Sequence, residues 1–151
     1  MEYLAIIDGS YSKDGYARCS FAVYSVLGEM CSVHGYARLI HMVRMADTGL
    51  PVAGDTSMQA EAYALYSLLI YLDSQRIFKS DNRIVIITDC LPMLEQLTGR
   101  TKVTSQPLLN VYQKIFKYLS GISKRIKFDV WDLLDFRWMP GTEMKQTILG
   151  H

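Results

Sequence analysis

The chain has 151 residues, half of them hydrophobic and about a fifth charged, with mean hydropathy near zero. This composition suits one folded domain over residues 1–151 and excludes a disordered, collagen-like or low-complexity chain. The net charge of +1 conceals an uneven distribution. Residues 1–95 carry seven Lys/Arg against eleven Asp/Glu, whereas residues 96–128 carry seven basic side chains and no acid. A basic block against an acidic remainder is the charge footprint of a polyanion-binding face, or else of a solvated helix face. No apolar run is long enough to cross a bilayer, and the N-terminus has no basic segment before its first apolar run. Cys19, Cys31 and Cys90 form no CxxC pair, and His34, His41 and His151 do not join them at ligand spacing. A disulfide framework and a zinc finger are therefore not expected, and a cytoplasmic, non-membrane protein is.

Residues 3–7, Tyr-Leu-Ala-Ile-Ile, form a short apolar run closed by Asp8-Gly9-Ser10, which predicts a buried central strand ending in a turn. Residues 16–26 and about 30–37 read as two further strands, joined by short turns into an antiparallel meander. Residues 38–56 are the least legible: 38–45 extend the last strand or form a short helix, and Thr48-Gly49-Leu50-Pro51 reads as a loop. From Ser57 to Asp73 the spacing is helical, with Glu61, Leu65, Leu68 and Leu72 on one stripe. Ile84–Ile87 predicts a second buried strand, followed by Asp89. Pro92 suits a first helical turn, giving a helix over 91–98 that stops at Gly99. Residues 106–120 predict an amphipathic helix, and 126–139 a last strand ended by Pro140-Gly141, with a short helix possible beyond. The order indicates a mixed α/β domain.

Three acidic residues stand where packing alone would not put them. Asp8 and Asp89 each close an apolar strand, and ligands of open α/β sheets bind beyond the carboxyl ends of such strands. Glu61 lies on the apolar stripe of its helix beside Ala60, Ala62 and Ala64. A carboxylate on a buried face must be paired, protonated or bound to a metal. Each has a plainer alternative: Asp8 a turn residue, Asp89 a helix cap, Glu61 at the stripe's edge reaching solvent. Together they form a set of hard oxygen ligands suited to Mg²⁺ or Mn²⁺, and nothing calls for an organic cofactor.

Asp8-Gly9-Ser10, Gln59-Ala60-Glu61-Ala62, Thr88-Asp89 and Arg137-Trp138-Met139-Pro140-Gly141, in this order and spacing, resemble the type 1 ribonuclease H family over nearly the whole chain. The resemblance implies the ribonuclease H-like fold: a five-stranded mixed sheet in the order 3-2-1-4-5, its first three strands antiparallel, with helices on both faces. It implies hydrolysis of the RNA strand of an RNA–DNA hybrid, with Asp8, Glu61 and Asp89 matching the acids that hold two divalent ions. Two ions about 4 Å apart activate a water and stabilise the leaving oxygen of an in-line displacement. The basic block, through Lys114, Lys117, Lys124 and Arg125, would hold the phosphate backbone. Ser10, Ser57 and Gln59 lie where further contacts to nucleic acid are implied.

The sequence departs from the family in places. The family's fourth ligand, commonly Asp on a final helix, has no Asp equivalent here. His151 is a candidate for it, with a frayed end as the alternative, and Glu143 is a second candidate. Thr142 replaces the histidine that usually follows the Pro-Gly pair. The positions of the asparagines that read the RNA strand hold Ser57, which can still bond a 2′-hydroxyl, and Met58, a weak acceptor. Two other readings therefore stand beside the hybrid nuclease: a catalytically impaired module that binds nucleic acid or protein, and a nuclease for a DNA or single-stranded substrate. His34 and His41 read as structural or surface residues, and Cys90 lacks an activating neighbour. Tyr63, Tyr66, Tyr71, Tyr112 and Tyr118 read as helix packing, and Trp131 and Trp138 as packing against the sheet.

Overall fold

The structure, a computed structural model, describes residues 1–12, 16–44 and 56–150. Its elements in chain order are β1 (Glu2–Tyr11), β2 (Tyr16–Leu27), β3 (Met30–Arg44), α1 (Thr56–Ser74), β4 (Arg83–Thr88), α2 (Leu91–Leu97), α3 (Gln106–Ile126), β5 (Leu134–Trp138) and α4 (Gly141–Met144). The five strands make one sheet in the order β3-β2-β1-β4-β5. The pairs β1–β2 and β2–β3 are antiparallel, and β1–β4 and β4–β5 are parallel. This is the topology implied by the sequence motifs.

One face of the sheet carries the main core. Tyr3, Ala5 and Ile7 of β1 and Ala17, Cys19, Phe21 and Val23 of β2 alternate inward, as strand period 2 requires, and meet Leu65, Leu68, Leu69 and Leu72 of α1. Behind α1 lies α3, which contributes Leu108, Val111, Tyr112, Ile115, Leu119 and Ile122. The opposite face carries a smaller cluster, in which Leu149, beyond α4, packs on Ile6 and Ala22 beside Tyr24 and Ile87.

Three expectations need correction, and one choice left open is decided. The first strand does not end at Ile7; β1 runs through Asp8, Gly9 and Ser10 to Tyr11, because β2 remains paired to it over that whole length. The region from 38 to 44 continues β3 rather than forming a helix; 45–55 lie outside the described residues. The segment 120–126, expected to run from the end of a helix at 120 to the start of a strand at 126, belongs wholly to α3. Ile115, Leu119, Ile122 and Ile126 continue the i, i+4, i+7, i+11 stripe, and Arg125 is paired with Asp73 of α1. The helix stops at Lys127, whose φ of 57° is left-handed, and a 3₁₀ turn over Val130–Leu133 leads into β5, five residues long. Finally, Trp138 is only partly covered: it is 48% exposed at the end of β5.

The tyrosines do pack. Tyr63, Tyr66 and Tyr118 form an edge-to-face chain, Tyr112 is buried with its hydroxyl on Gln96, and Tyr71 lies against Phe21 and bonds His34.

Two glycines give opposite expectations. A Cβ on Gly9 would lie 2.5 Å from the Ala60 carbonyl oxygen, so Gly9→Ala should cost more than about 2 kcal/mol. A Cβ on Gly121, inside α3, would meet nothing within 4 Å, so Gly121→Ala should add roughly 0.5–1 kcal/mol. Urea denaturation of the two variants checks both signs.

Candidate metal centre

The parallel pairing of β1 with β4 stops at Ile6 and Ile87. Beyond it, β1 keeps only β2 as a neighbour, β4 ends at Thr88, and Asp8 and Asp89 stand on either side of the gap. The side chain of Glu61 enters from α1. The approach is close because Gly9 has no side chain and Ala60 and Ala64 are small and fully buried. One carboxylate oxygen from each of Asp8, Glu61 and Asp89 lies within 4.8 Å of the others, the grouping of potential metal ligands found among the described residues.

Glu61 is only 7% exposed and is held at both oxygens. The backbone N–H of Gly9 donates to Oε1 at 3.1 Å, and the Thr88 hydroxyl donates to Oε2 at 3.4 Å. Thr88 in turn accepts the N–H of Cys90 at 3.1 Å, tying the turn that carries Asp89 to the same carboxylate. Burial, first, and then the charges of Asp8 and Asp89 push the Glu61 carboxyl up to about 9. A hydrogen bond with Asp8, which needs a shared proton, acts in the same direction, against the lowering effect of the Gly9 N–H. Such a group stays protonated near neutral pH unless a cation compensates it. The set fits a divalent ion by its chemistry: three hard oxygens, one pre-oriented by two donors, and an excess of negative charge. The alternatives for the three acids fall away. Asp8 is a strand residue, Glu61 is buried rather than at the stripe's solvent edge, and the residue capping α2 is Cys90, which makes no side-chain cap bond.

A shallow depression of about 180 Å³ opens above the acids, lined by Asp8, Asp89, Gly141, Met144, Lys145 and Gly150. Glu143 is exposed on α4 and is not among the clustered carboxylates. His151 lies outside the described residues. Ser57 is exposed in the first turn of α1, Ser10 is half-buried on β1, Met58 packs against the core, and Gln59 is fully buried. On α3, Lys114, Lys117 and Lys124 are exposed, and Lys114 sits 5.9 Å from the centre of the Tyr66 ring. Arg125 is paired with Asp73, which also accepts the Tyr118 hydroxyl. Lys114, Lys117 and Arg125 share an open groove between α1 and α3 with Tyr66 and Tyr118.

Sequence reasoning missed the two groups that hold Glu61. Thr88 had a usable signal: it follows Ile84 and Ile86 on the buried face of its strand, where a hydroxyl needs a partner. The Gly9 N–H had none, since its role depends on how closely α1 approaches. Cys19, beneath the site, is inert. Burial and then the Glu61 charge push its thiol up to about 12 while it donates to the Ala60 carbonyl.

By sequence the chain matches no family model and no curated protein. Its structure is similar to several solved ones. An RNase H1 isolated from compost by a metagenomic approach is 16% identical with a TM-score of 0.64, over 96% of this chain and 89% of that one. The same compost enzyme in complex with an RNA/DNA hybrid gives 18% and 0.60, over 93% and 87%. RNase H1 from the halophilic archaeon Halobacterium salinarum NRC-1 gives 17% and 0.62, over 95% and 89%. The chain therefore has the ribonuclease H fold, as the order of its motifs implied.

The Glu61 environment carries a pH signature. Between its ordinary value of 4.5 and about 9, the folded chain holds a proton that the unfolded chain has lost. That stabilisation is complete below about 4.5 and disappears as pH rises through about 9. In EDTA, the Tm should fall from about pH 5 to about pH 9, with a Glu61 share of at most about 1.4 kcal/mol per pH unit. Glu61→Gln should remove that share; equal slopes for both proteins by thermal denaturation would contradict it.

Proposed function

We propose that this protein is a divalent-metal-dependent nuclease of the ribonuclease H type that hydrolyses the RNA strand of RNA–DNA hybrids. The observation that carries the reading is the convergence of Asp8, Glu61 and Asp89 at the end of the β1–β4 pair, with Glu61 buried and held by Gly9 and Thr88. The likeness to an RNase H1 in complex with an RNA/DNA hybrid supports the substrate class.

Asp8 and Asp89 face the depression and would contact Mg²⁺ or Mn²⁺ directly, with Glu61 fixed beneath them as the third ligand. When bound, two such ions supply the charge that activates water and stabilises the leaving oxygen of an in-line displacement at phosphorus. His151 is the proposed fourth ligand, with Glu143 as the alternative. Ser10 and Ser57 would contact the strand near the acids, and Gln59 would support them from within α1. Lys114, Lys117, Lys124 and Arg125 would hold the phosphate backbone by releasing its counterions. No organic cofactor enters this chemistry. Among the described residues, no helix is long and apolar enough to cross a membrane, and a cytoplasmic single-domain enzyme over 1–151 is proposed.

One observation favours a second reading, a nuclease for another nucleic acid. Met58 packs into the core and Gln59 is fully buried, so this turn of α1 presents Ser57 as its exposed hydrogen-bonding side chain. Incubation with labelled hybrid, duplex DNA, duplex RNA and single strands, in Mg²⁺, Mn²⁺ or EDTA, separates the readings. The proposal expects metal-dependent cutting confined to the RNA strand of the hybrid. Cutting of another substrate would favour the second reading, and no cutting by the folded protein would favour a binding module.

Loss of a side chain that hydrogen-bonds a metal ligand typically costs ten- to a hundredfold, so loss of a ligand should cost at least the upper end. Asp8→Asn should therefore lower kcat/KM by about two orders of magnitude or more, with fold and oligonucleotide binding retained. Undiminished cleavage would overturn the assigned site. Lys114→Gln and Lys117→Gln should each reduce the slope of log affinity against log salt by about 0.9, with kcat unchanged.

A further inference from the structure

Beside the acidic centre stand two large apolar side chains that the core does not use. Trp138 is 48% exposed and Leu91 is 41% exposed. Both lie close to Asp89, one in sequence and one through a hydrogen bond. Leu91 opens α2 two residues after Asp89, and the Trp138 indole N–H donates to the Asp89 carbonyl at 3.1 Å. Trp138 is the last residue of β5 and pairs with Thr88, the residue that holds Glu61. Its ring is thus fixed at one edge to the turn that carries Asp89, while nearly half of its surface faces solvent. Trp131, the other tryptophan, is instead packed between Phe116 and Phe136. What sets Trp138 apart from the other exposed apolar side chains is that its ring is oriented by a hydrogen bond to the residue that carries an acid of the site.

Resting on the nucleic-acid reading above, we infer that Trp138, with Leu91, forms a ledge that takes the flat face of a base or sugar next to the phosphate at the acidic centre. An indole offers a stacking plane that every base can use, and a sequence-tolerant contact of this kind suits a site whose other groups address charge. The Nε1 bond to the Asp89 carbonyl orients the ring before substrate arrives, which lowers the ordering cost of the contact. Trp138 is in this account a substrate-contacting residue at the rim, and the acids below it have no need of it to hold a metal.

The test uses a Trp131→Phe variant, which leaves Trp138 as the chain's one tryptophan. A labelled RNA–DNA hybrid oligonucleotide is titrated in EDTA, with binding followed by anisotropy and the ring by its intrinsic emission. The inference expects emission to be quenched with the same midpoint as the anisotropy change. It also expects Trp138→Ala to weaken binding about tenfold, Trp138→Phe to keep most of the affinity, and the Mn²⁺-induced rise in Tm to stay unchanged in both. Saturated binding without quenching, or wild-type affinity in Trp138→Ala, would overturn the ledge alone. Absence of binding to any oligonucleotide would overturn both the ledge and the reading it rests on.

Discussion

The structure depends on one contact between backbones, that of β1 at Gly9 with α1 at Ala60. A Cβ at Gly9 would be inside van der Waals distance of the Ala60 carbonyl, so the helix approaches the sheet more closely than any residue but glycine would allow at this position. That approach drives Glu61 into the space where the β1–β4 pairing has just ended, and leaves it among like charges with little water. Repulsion and desolvation then have two remedies, a proton or a cation. The surrounding donors are arranged for a carboxylate: both Glu61 oxygens receive a hydrogen bond, one from backbone and one from a buried hydroxyl. A site that tolerates a proton while being prepared for the anion is poised for metal binding.

The rest of the molecule distributes charge around that point. The acids collect at the carboxyl ends of the parallel strands, whereas the exposed lysines lie along α3, on the far side of α1 from the sheet. Between them α1 serves both purposes: its first turns carry Ser57 and Glu61, and its later turns carry Tyr66 and Asp73 of the basic groove. Arg125 is paired with Asp73 and braces the last turn of α3 against α1 while its exposed side chain lines the same groove as Lys114 and Lys117.

Legibility followed periodicity. The two apolar strands, the Glu61 stripe and the helix opened by Pro92 could be read because each repeats a pattern over several residues, and the three acids could be read because they interrupt those patterns. Turn chemistry was less secure. Asp8-Gly9-Ser10 has the composition of a turn, yet β2 holds it in the sheet, and Gly9 is there for close approach rather than for a bend. The helix expected over 106–120 runs on to Ile126, because Ile122, Ile126 and the Arg125–Asp73 pair continue its contacts beyond Gly121. The exposure of Trp138 was not legible because an aromatic in a strand is normally core, and strand propensity carries no information on which end of the sheet lacks a covering element. The donors to Glu61 depend on tertiary distances to which no local pattern corresponds.

The most direct test of the central claim is crystallographic: anomalous scattering from crystals of the protein grown with Mn²⁺. The account predicts a peak bounded by the carboxylates of Asp8, Glu61 and Asp89, absent from crystals of Asp8→Asn. Well-ordered crystals with no manganese at that position, and the three carboxyls sharing a proton instead, would contradict it.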